Sequence, residues 1–249
     1  MKTFLLVVLF VGVASCVRLQ KSNNPDLIEG DMMLTPLQKE MLLSPSSSLS
    51  RNGVINEWFR WPNGIIYYQL DSAIPNDLRQ LIYTSLSKIE AATCIRFIQG
   101  ANSEGHYVRV TNIRDSGCWS YVGYIHRVQD LNLGYGCEWE STVIHEFLHA
   151  VGFHHQQCSF DRDDYVEIHL ENVEEDQRHN FDKYTRDEVT AYGTRYDYNS
   201  IMHYDAYAFS NNGEPTMVAK IMPDGANMGE AEEMSAIDIY RINSMYKCH

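Results

Sequence analysis

The feature that most constrains this chain is the segment Thr142-Val-Ile-His145-Glu146-Phe-Leu-His149-Ala-Val-Gly152-Phe-His-His155. On a helix, four residues advance the chain by ~6 Å and return to nearly the same face, so His145 and His149 can grip one ion together. Glu146 stands beside the first of them, close enough to hold and deprotonate a metal-bound water. A glycine at position 152 can take positive φ and end the helix sharply, swinging the chain back so that a third histidine reaches the ion. In the extended pattern His-Glu-x-x-His-x-x-Gly-x-x-His that residue is His155. Only register disfavours its neighbour His154, and spacing alone does not exclude it. Three neutral imidazoles leave Zn²⁺ its full double charge and an open coordination position, which lowers the pKa of bound water toward neutrality. A surface helix with incidental histidines would explain His-Glu-x-x-His by itself; the added glycine and third histidine make that a poor account.

A second segment answers the first. Tyr196-Asp-Tyr-Asn-Ser200-Ile-Met202-His203-Tyr204 supplies the methionine turn that follows such a helix. Met202 would form an apolar floor beneath the metal. Around these two segments, residues 64–70 read as a strand, and Pro75 and Asn76 open a helix with Leu78, Leu81, Ile82, Leu86 and Ile89 on one face. Residues 94–98 and 107–111 alternate as strands, as does 121–128. Beyond residue 153 regular signals thin out, until Ser235-Ala-Ile-Asp238 marks a capped helix with Ile239, Ile242 and Met245 packing inward.

Composition bounds the remaining possibilities. The chain has 249 residues, 44% apolar and 21% charged, enough for one large domain or two small ones with a proper core. Its formal net charge of −13 argues against binding nucleic-acid phosphates or anionic membranes. The apolar run at residues 4–13 is too short to span a bilayer. With Lys2 before it and Ala14, Ser15 and Cys16 after it, the run reads as a secretory signal; a lipid anchor on Cys16 is a minor alternative. Loop formers at 22–25 and 44–48 then frame a weakly apolar stretch (Met32, Leu34, Leu37, Met41) that ends at Arg51, a processing site. Cysteines stand at 16, 94, 118, 137, 158 and 248. If Cys16 leaves with the signal, an odd number remains and counting cannot pair them. No Cys-x-x-Cys spacing exists to suggest a structural zinc site.

Taken together, these residues resemble the astacin family of zinc endopeptidases, within the metzincins. Besides the helix and the methionine turn, the likeness extends over Trp61-Pro-Asn-Gly64, Thr93-Cys-Ile-Arg-Phe97, Gly117-Cys-Trp-Ser-Tyr-Val-Gly123, Asp161-Arg-Asp163 and Asp238-Ile-x-x-Ile-Asn-x-x-Tyr-x-Cys248. The resemblance implies an α+β protease of two subdomains. The N-terminal one would hold a twisted sheet and two long helices, and the C-terminal one would be largely irregular with one helix. With the signal peptide placed over 1–15, although cleavage after Cys16 fits the sequence as well, it implies a propeptide over 16–51 and a catalytic domain over 52–249. One Zn²⁺ per chain would sit on His145, His149 and His155, with Tyr204 as a further ligand in the resting enzyme that turns to stabilise the oxyanion. Glu146 would be the base and proton shuttle for the metal-activated water. In the zymogen only, Asp31 of Ile28-Glu-Gly30-Asp31 would take the water's place on the metal, with Ile28 standing where the family has Phe. The implied disulfides are Cys94–Cys248 and Cys118–Cys137, leaving Cys158 over.

The same resemblance implies a secreted, extracellular monomer that acts on protein or peptide substrates and is inhibited by its own propeptide, with no nucleic acid or membrane span involved. The chain stops one residue after Cys248, so no downstream adhesion module is expected. Three departures stand out. Gln156 and Ser159 replace a glutamate and an arginine, and Gly229-Glu-Ala231 replaces Gly-Gln-Arg. The family glutamate pairs with the amine freed by processing, here that of Asn52; neutral Gln156 can hydrogen-bond that amine but not neutralise it. A binding protein on an inactive protease scaffold, or a metzincin of another family, is the competing reading. The intact His145, Glu146, His149 and His155 argue against the first. The cysteine frame, and histidine rather than aspartate at 155, argue against the second.

Overall fold

The computed structural model describes residues 24–43, 56–184 and 191–248; the apolar run, Cys16, Arg51 and Asn52 lie outside them. From the stretch before Arg51 come β1 (Leu27–Ile28), β2 (Met32–Met33) and α1 (Pro36–Leu43). Next follow β3 (Ile65–Leu70), α2 (Asn76–Ala92), β4 (Arg96–Gln99), β5 (Val108–Thr111), β6 (Cys118–Tyr121), β7 (Gln129–Leu133) and α3 (Glu140–Val151). The C-terminal half carries only β8 (Val166–Ile168), β9 (Met217–Ala219), short 3₁₀ turns and α4 (Ala236–Met245) among its described residues. This is an α+β architecture.

One mixed sheet of seven strands runs β1-β2-β6-β7-β5-β3-β4. Helix α2 begins after Pro75 and buries Leu78, Ile82, Leu86 and Ile89, residues one helical stripe apart, against the sheet core. Its end is fixed by Thr93, whose hydroxyl donates to the Ile89 carbonyl at 2.7 Å and accepts from the Ile95 amide at 3.2 Å. Helix α3 packs in the same core through Val143, Ile144, Phe147 and Val151. Trp61 locks its far end, donating its indole N–H to the Ala150 carbonyl at 2.9 Å.

Two elements differ from the sequence reading. The strand expected over 121–128 stops at Tyr121, because Gly123 (φ 68°) and His126 (φ 57°) turn the backbone. Its amides are used elsewhere: Gly123 donates to the His149 carbonyl at 2.9 Å and Tyr124 to that of Phe59 at 2.7 Å. Conversely β7, Gln129-Asp-Leu-Asn-Leu, carries too many polar residues to read as a core strand. Gln129 and Asn132 are nonetheless buried, their side-chain amides donating to the Gly123 and Gly117 carbonyls, each at 2.7 Å.

Strands β1 and β2 extend the sheet. Strand β2 pairs in parallel with β6, Met32 opposite Ser120, and Met32 and Leu34 are buried with Val122. Helix α4 starts with a capping box between Ser235 and Asp238. Ile242 and Met245 are buried on it as expected, but Ile239 is only partly covered; Asp238 and Arg241 take the inner positions instead. The Cys94–Cys248 disulfide ties the chain end to the β4 region across 154 residues, a closure worth ~2–4 kcal/mol. Cys118 pairs with Cys137. Among the described residues no helix is long and apolar enough to cross a membrane.

Candidate functional site

Helix α3 points His145 and His149 the same way, one turn apart, with their Nε2 atoms 3.1 Å from each other. Gly152, at φ 123°, ends the helix, and the chain doubles back so that His155 Nε2 comes within 3.2 Å of His145 Nε2. His154 faces away from this cluster, its Nδ1 3.2 Å from the Tyr184 hydroxyl.

Each ring is held from behind. Nδ1 of His145 lies 2.8 Å from the Ile201 carbonyl, and Nδ1 of His149 lies 2.7 Å from that of Phe153. Nδ1 of His155 lies 2.8 Å from the Glu29 carboxylate. A carbonyl or carboxylate oxygen can only accept, so each Nδ1 carries a proton and Nε2 is the nitrogen that each ring turns toward the centre of the cluster.

Asp31 completes the cluster. Its carboxylate lies 3.2 Å from His155 Nε2, 3.3 Å from His145 Nε2 and 3.4 Å from His149 Nε2. One ligand atom from each of the four buried residues falls within 4.8 Å of the others. Burial alone would raise the Asp31 carboxyl, but the surrounding histidines hold it well below the usual carboxylate range. Burial pushes His149 down to about 4, whereas at His155 it is outweighed by Asp31 and Glu29, which raise that ring to about 9. Three Nε2 atoms and one carboxylate that converge in a buried pocket offer a cation its ligands. The donor set of three imidazoles and one carboxylate suits zinc.

Glu146 is fully buried beside the cluster, and neither of its carboxylate oxygens has a hydrogen-bond partner among the described residues. Burial, then the charge of Asp31, push its carboxyl well above the ordinary range. Such an orphaned carboxylate is poised to take up a proton.

Tyr204 is buried with its ring centroid 4.6 Å from that of His155. Its hydroxyl donates to the Glu29 carbonyl. Met202 is buried in the core that also holds α3, and its carbonyl accepts from the Gln156 amide at 2.9 Å. Sequence reasoning missed what fixes this turn. The Asp238 carboxylate accepts from the Ser200 hydroxyl at 2.6 Å, the Ile201 amide at 2.9 Å and the Ser235 amide at 3.0 Å. Asp238 was visible only as a helix cap. Glu29 and Tyr184 were also missed, and neither lies in a pattern that periodicity reveals.

A cleft pocket opens beside His145, lined by Ser141, Ile201, Tyr204, Asp205, Gly229 and Ala231. A Cβ at Gly229 would lie 2.2 Å from the Asp205 backbone, so only glycine permits this close approach. Ala231, one of the departures from the family pattern, therefore sits on the pocket wall. At the other departures, Ser159 donates to Asp161 at 2.5 Å, and Gln156 accepts from the Arg241 guanidinium through its side-chain oxygen. Asn52, its expected partner, lies outside the described residues.

The family model described as Astacin, a peptidase family, matches residues 53–247. The chain belongs to the astacin family. Zinc metalloproteinase nas-15 of Caenorhabditis elegans is 36% identical over 231 residues, covering 90% of this chain and 40% of that protein. Meprin A subunit beta of Homo sapiens is 37% identical, covering 90% of this chain and 30% of that one. The chain thus spans less than half the length of these curated relatives. Among solved structures, the hatching-enzyme zinc protease HCE-1 of Oryzias latipes superposes with a TM-score of 0.69 at 32% identity, covering 83% of this chain and 98% of that one. Astacin-family metalloproteinases use zinc, and the cluster of Asp31, His145, His149 and His155 is one that could hold a metal ion.

Proposed function

We propose that this chain is a secreted zinc endopeptidase, made with a signal peptide (1–15) and a propeptide (16–51) ahead of the catalytic domain (52–249). The observation that carries the activity is the convergence of three Nε2 atoms beside the buried Glu146, unpartnered among the described residues. The latent state rests on Asp31, which fills the open side of the same cluster from before Arg51. Secretion rests on the apolar run after Lys2 and on the disulfides, which persist in oxidising compartments. Proteins or peptides outside the cell are its substrates, its own propeptide is its inhibitor, and it works as a monomer.

His145, His149 and His155 would hold the zinc, which would supply a Lewis acid for the scissile carbonyl and lower the pKa of bound water. Glu146, whose carboxylate oxygens have no hydrogen-bond partner among the described residues, takes a proton from the attacking water and returns it to the leaving amine. Tyr204 already donates its hydroxyl to a peptide carbonyl, that of Glu29. Once the propeptide has left, the same hydroxyl is free to serve as a further metal ligand at rest and to donate to the oxyanion during turnover. Met202, buried in the core that holds α3, would floor the site, and Asp238 holds the turn that orients His145.

Casein hydrolysis tests the reading. The chain cleaved after Arg51 should digest casein, lose activity on treatment with 1,10-phenanthroline and regain it with added zinc, while the uncleaved chain stays silent. A processed, zinc-loaded chain with no peptidase activity would refute it.

A further inference from the structure

The three candidate ligands do not share one kind of outer support. His145 and His149 are oriented by backbone carbonyls of Ile201 and Phe153, within residues 52–249. His155 is oriented by a side chain from before Arg51, the Glu29 carboxylate at 2.8 Å. That carboxylate is itself gripped on its other oxygen by the Tyr184 hydroxyl. Glu29 is 3% exposed and sits at φ 52°, a left-handed conformation that glycine or asparagine adopts more readily. Gly30 follows at φ 80°, and a Cβ there would meet Phe209 at 2.6 Å. These two residues make the tip of the β1–β2 hairpin, which sends the Asp31 carboxylate to the Nε2 side of His155 and the Glu29 carboxylate to its Nδ1 side.

We infer that Glu29 is a positioning residue for the third zinc ligand in the uncleaved chain. Its carboxylate, held by Tyr184, fixes the His155 ring orientation and proton position and makes Nε2 a stronger donor to the metal. Outer partners of this kind tune metal affinity without touching the ion. The propeptide then does two things: Asp31 caps the site and Glu29 tightens it. Processing opens the metal and at the same stroke removes the support of one ligand. This rests on the zymogen reading above.

The test uses the full-length chain with its Arg51 site blocked, loaded with zinc and titrated with a chelating dye. Glu29→Ala should bind zinc about 10–100-fold more weakly than the parent. Glu29→Gln, which keeps an acceptor oxygen but no charge, should fall between them. The His155 Nδ1 proton, followed by NMR with labelled histidine, should exchange slowly in the parent and in Glu29→Gln and rapidly in Glu29→Ala. Equal zinc affinity and equal proton protection in parent and Glu29→Ala would overturn the inference. Asp31→Ala in the same background separates the two readings. If it weakens zinc binding and releases activity while Glu29→Ala changes nothing, only the role of Glu29 falls. If it too changes nothing, the propeptide reading falls and this inference with it.

Discussion

The Asp238 carboxylate accepts the Ile201 amide proton at 2.9 Å, and the carbonyl of Ile201 faces His145 Nδ1 at 2.8 Å. A cap residue of the last helix therefore sets the orientation of the first candidate ligand. Asp238→Ala leaves the Ser200 hydroxyl and the Ile201 and Ser235 amides without their acceptor, and should cost roughly 2–4 kcal/mol. A drop in Tm together with weaker zinc retention is the expected result; lost stability with unaltered zinc binding would confine Asp238 to capping.

Glu146 has no hydrogen bond to lose among the described residues, so its removal should affect chemistry more than folding. Glu146→Ala in the processed chain should keep its zinc by elemental analysis and lose on the order of 10²–10⁴ in kcat, the usual share of a general base.

Tyr204→Phe keeps the ring against His155 and removes only the hydroxyl. Turnover by the processed chain should fall by ~10²–10³ with zinc retained, as for loss of one oxyanion donor. In the uncleaved chain the same variant breaks the bond to the Glu29 carbonyl, so limited proteolysis should cut the propeptide faster.

The Gln156 side-chain oxygen is already occupied by the buried Arg241. Gln156→Leu should cost about 1–3 kcal/mol by leaving that guanidinium short of an acceptor. Gln156→Glu, which makes the bond charge-assisted, should melt at or above the parent. Chains that begin two residues before Asn52 should then melt within about 0.5 kcal/mol of the processed form. Greater sensitivity to the extension would mean that Gln156 reads the terminus after all.

Cys158 is fully buried, donates to the Asn180 carbonyl at 3.5 Å and has no disulfide partner among the described residues. Burial, with Glu29 nearby, pushes its thiol well above the ordinary range, so little reactive thiolate forms. Iodoacetamide at mildly alkaline pH should leave Cys158 untouched in the folded uncleaved chain and alkylate it fully in guanidinium. Rapid labelling of the native chain would contradict its burial.

The metal chemistry was legible in the sequence because it is local. His145, Glu146 and His149 need only the pitch of one helix, and Gly152 with His155 needs one turn beyond it. The two main helices were equally plain, since an apolar stripe such as Leu78 to Ile89 records its own burial. Other features depend on partners far along the chain. Glu29 reaches His155 across 126 residues and Asp238 reaches Ile201 across 37. Strand β7 hid its core role behind Gln129 and Asn132, whose polarity is satisfied only by carbonyls that the fold brings to them. Which of His154 and His155 turns inward was likewise settled by packing, with Tyr184 on one ring and Glu29 on the other. A residue's type and spacing specify which bonds it can make; only the assembled backbone decides which acceptor is there to receive them.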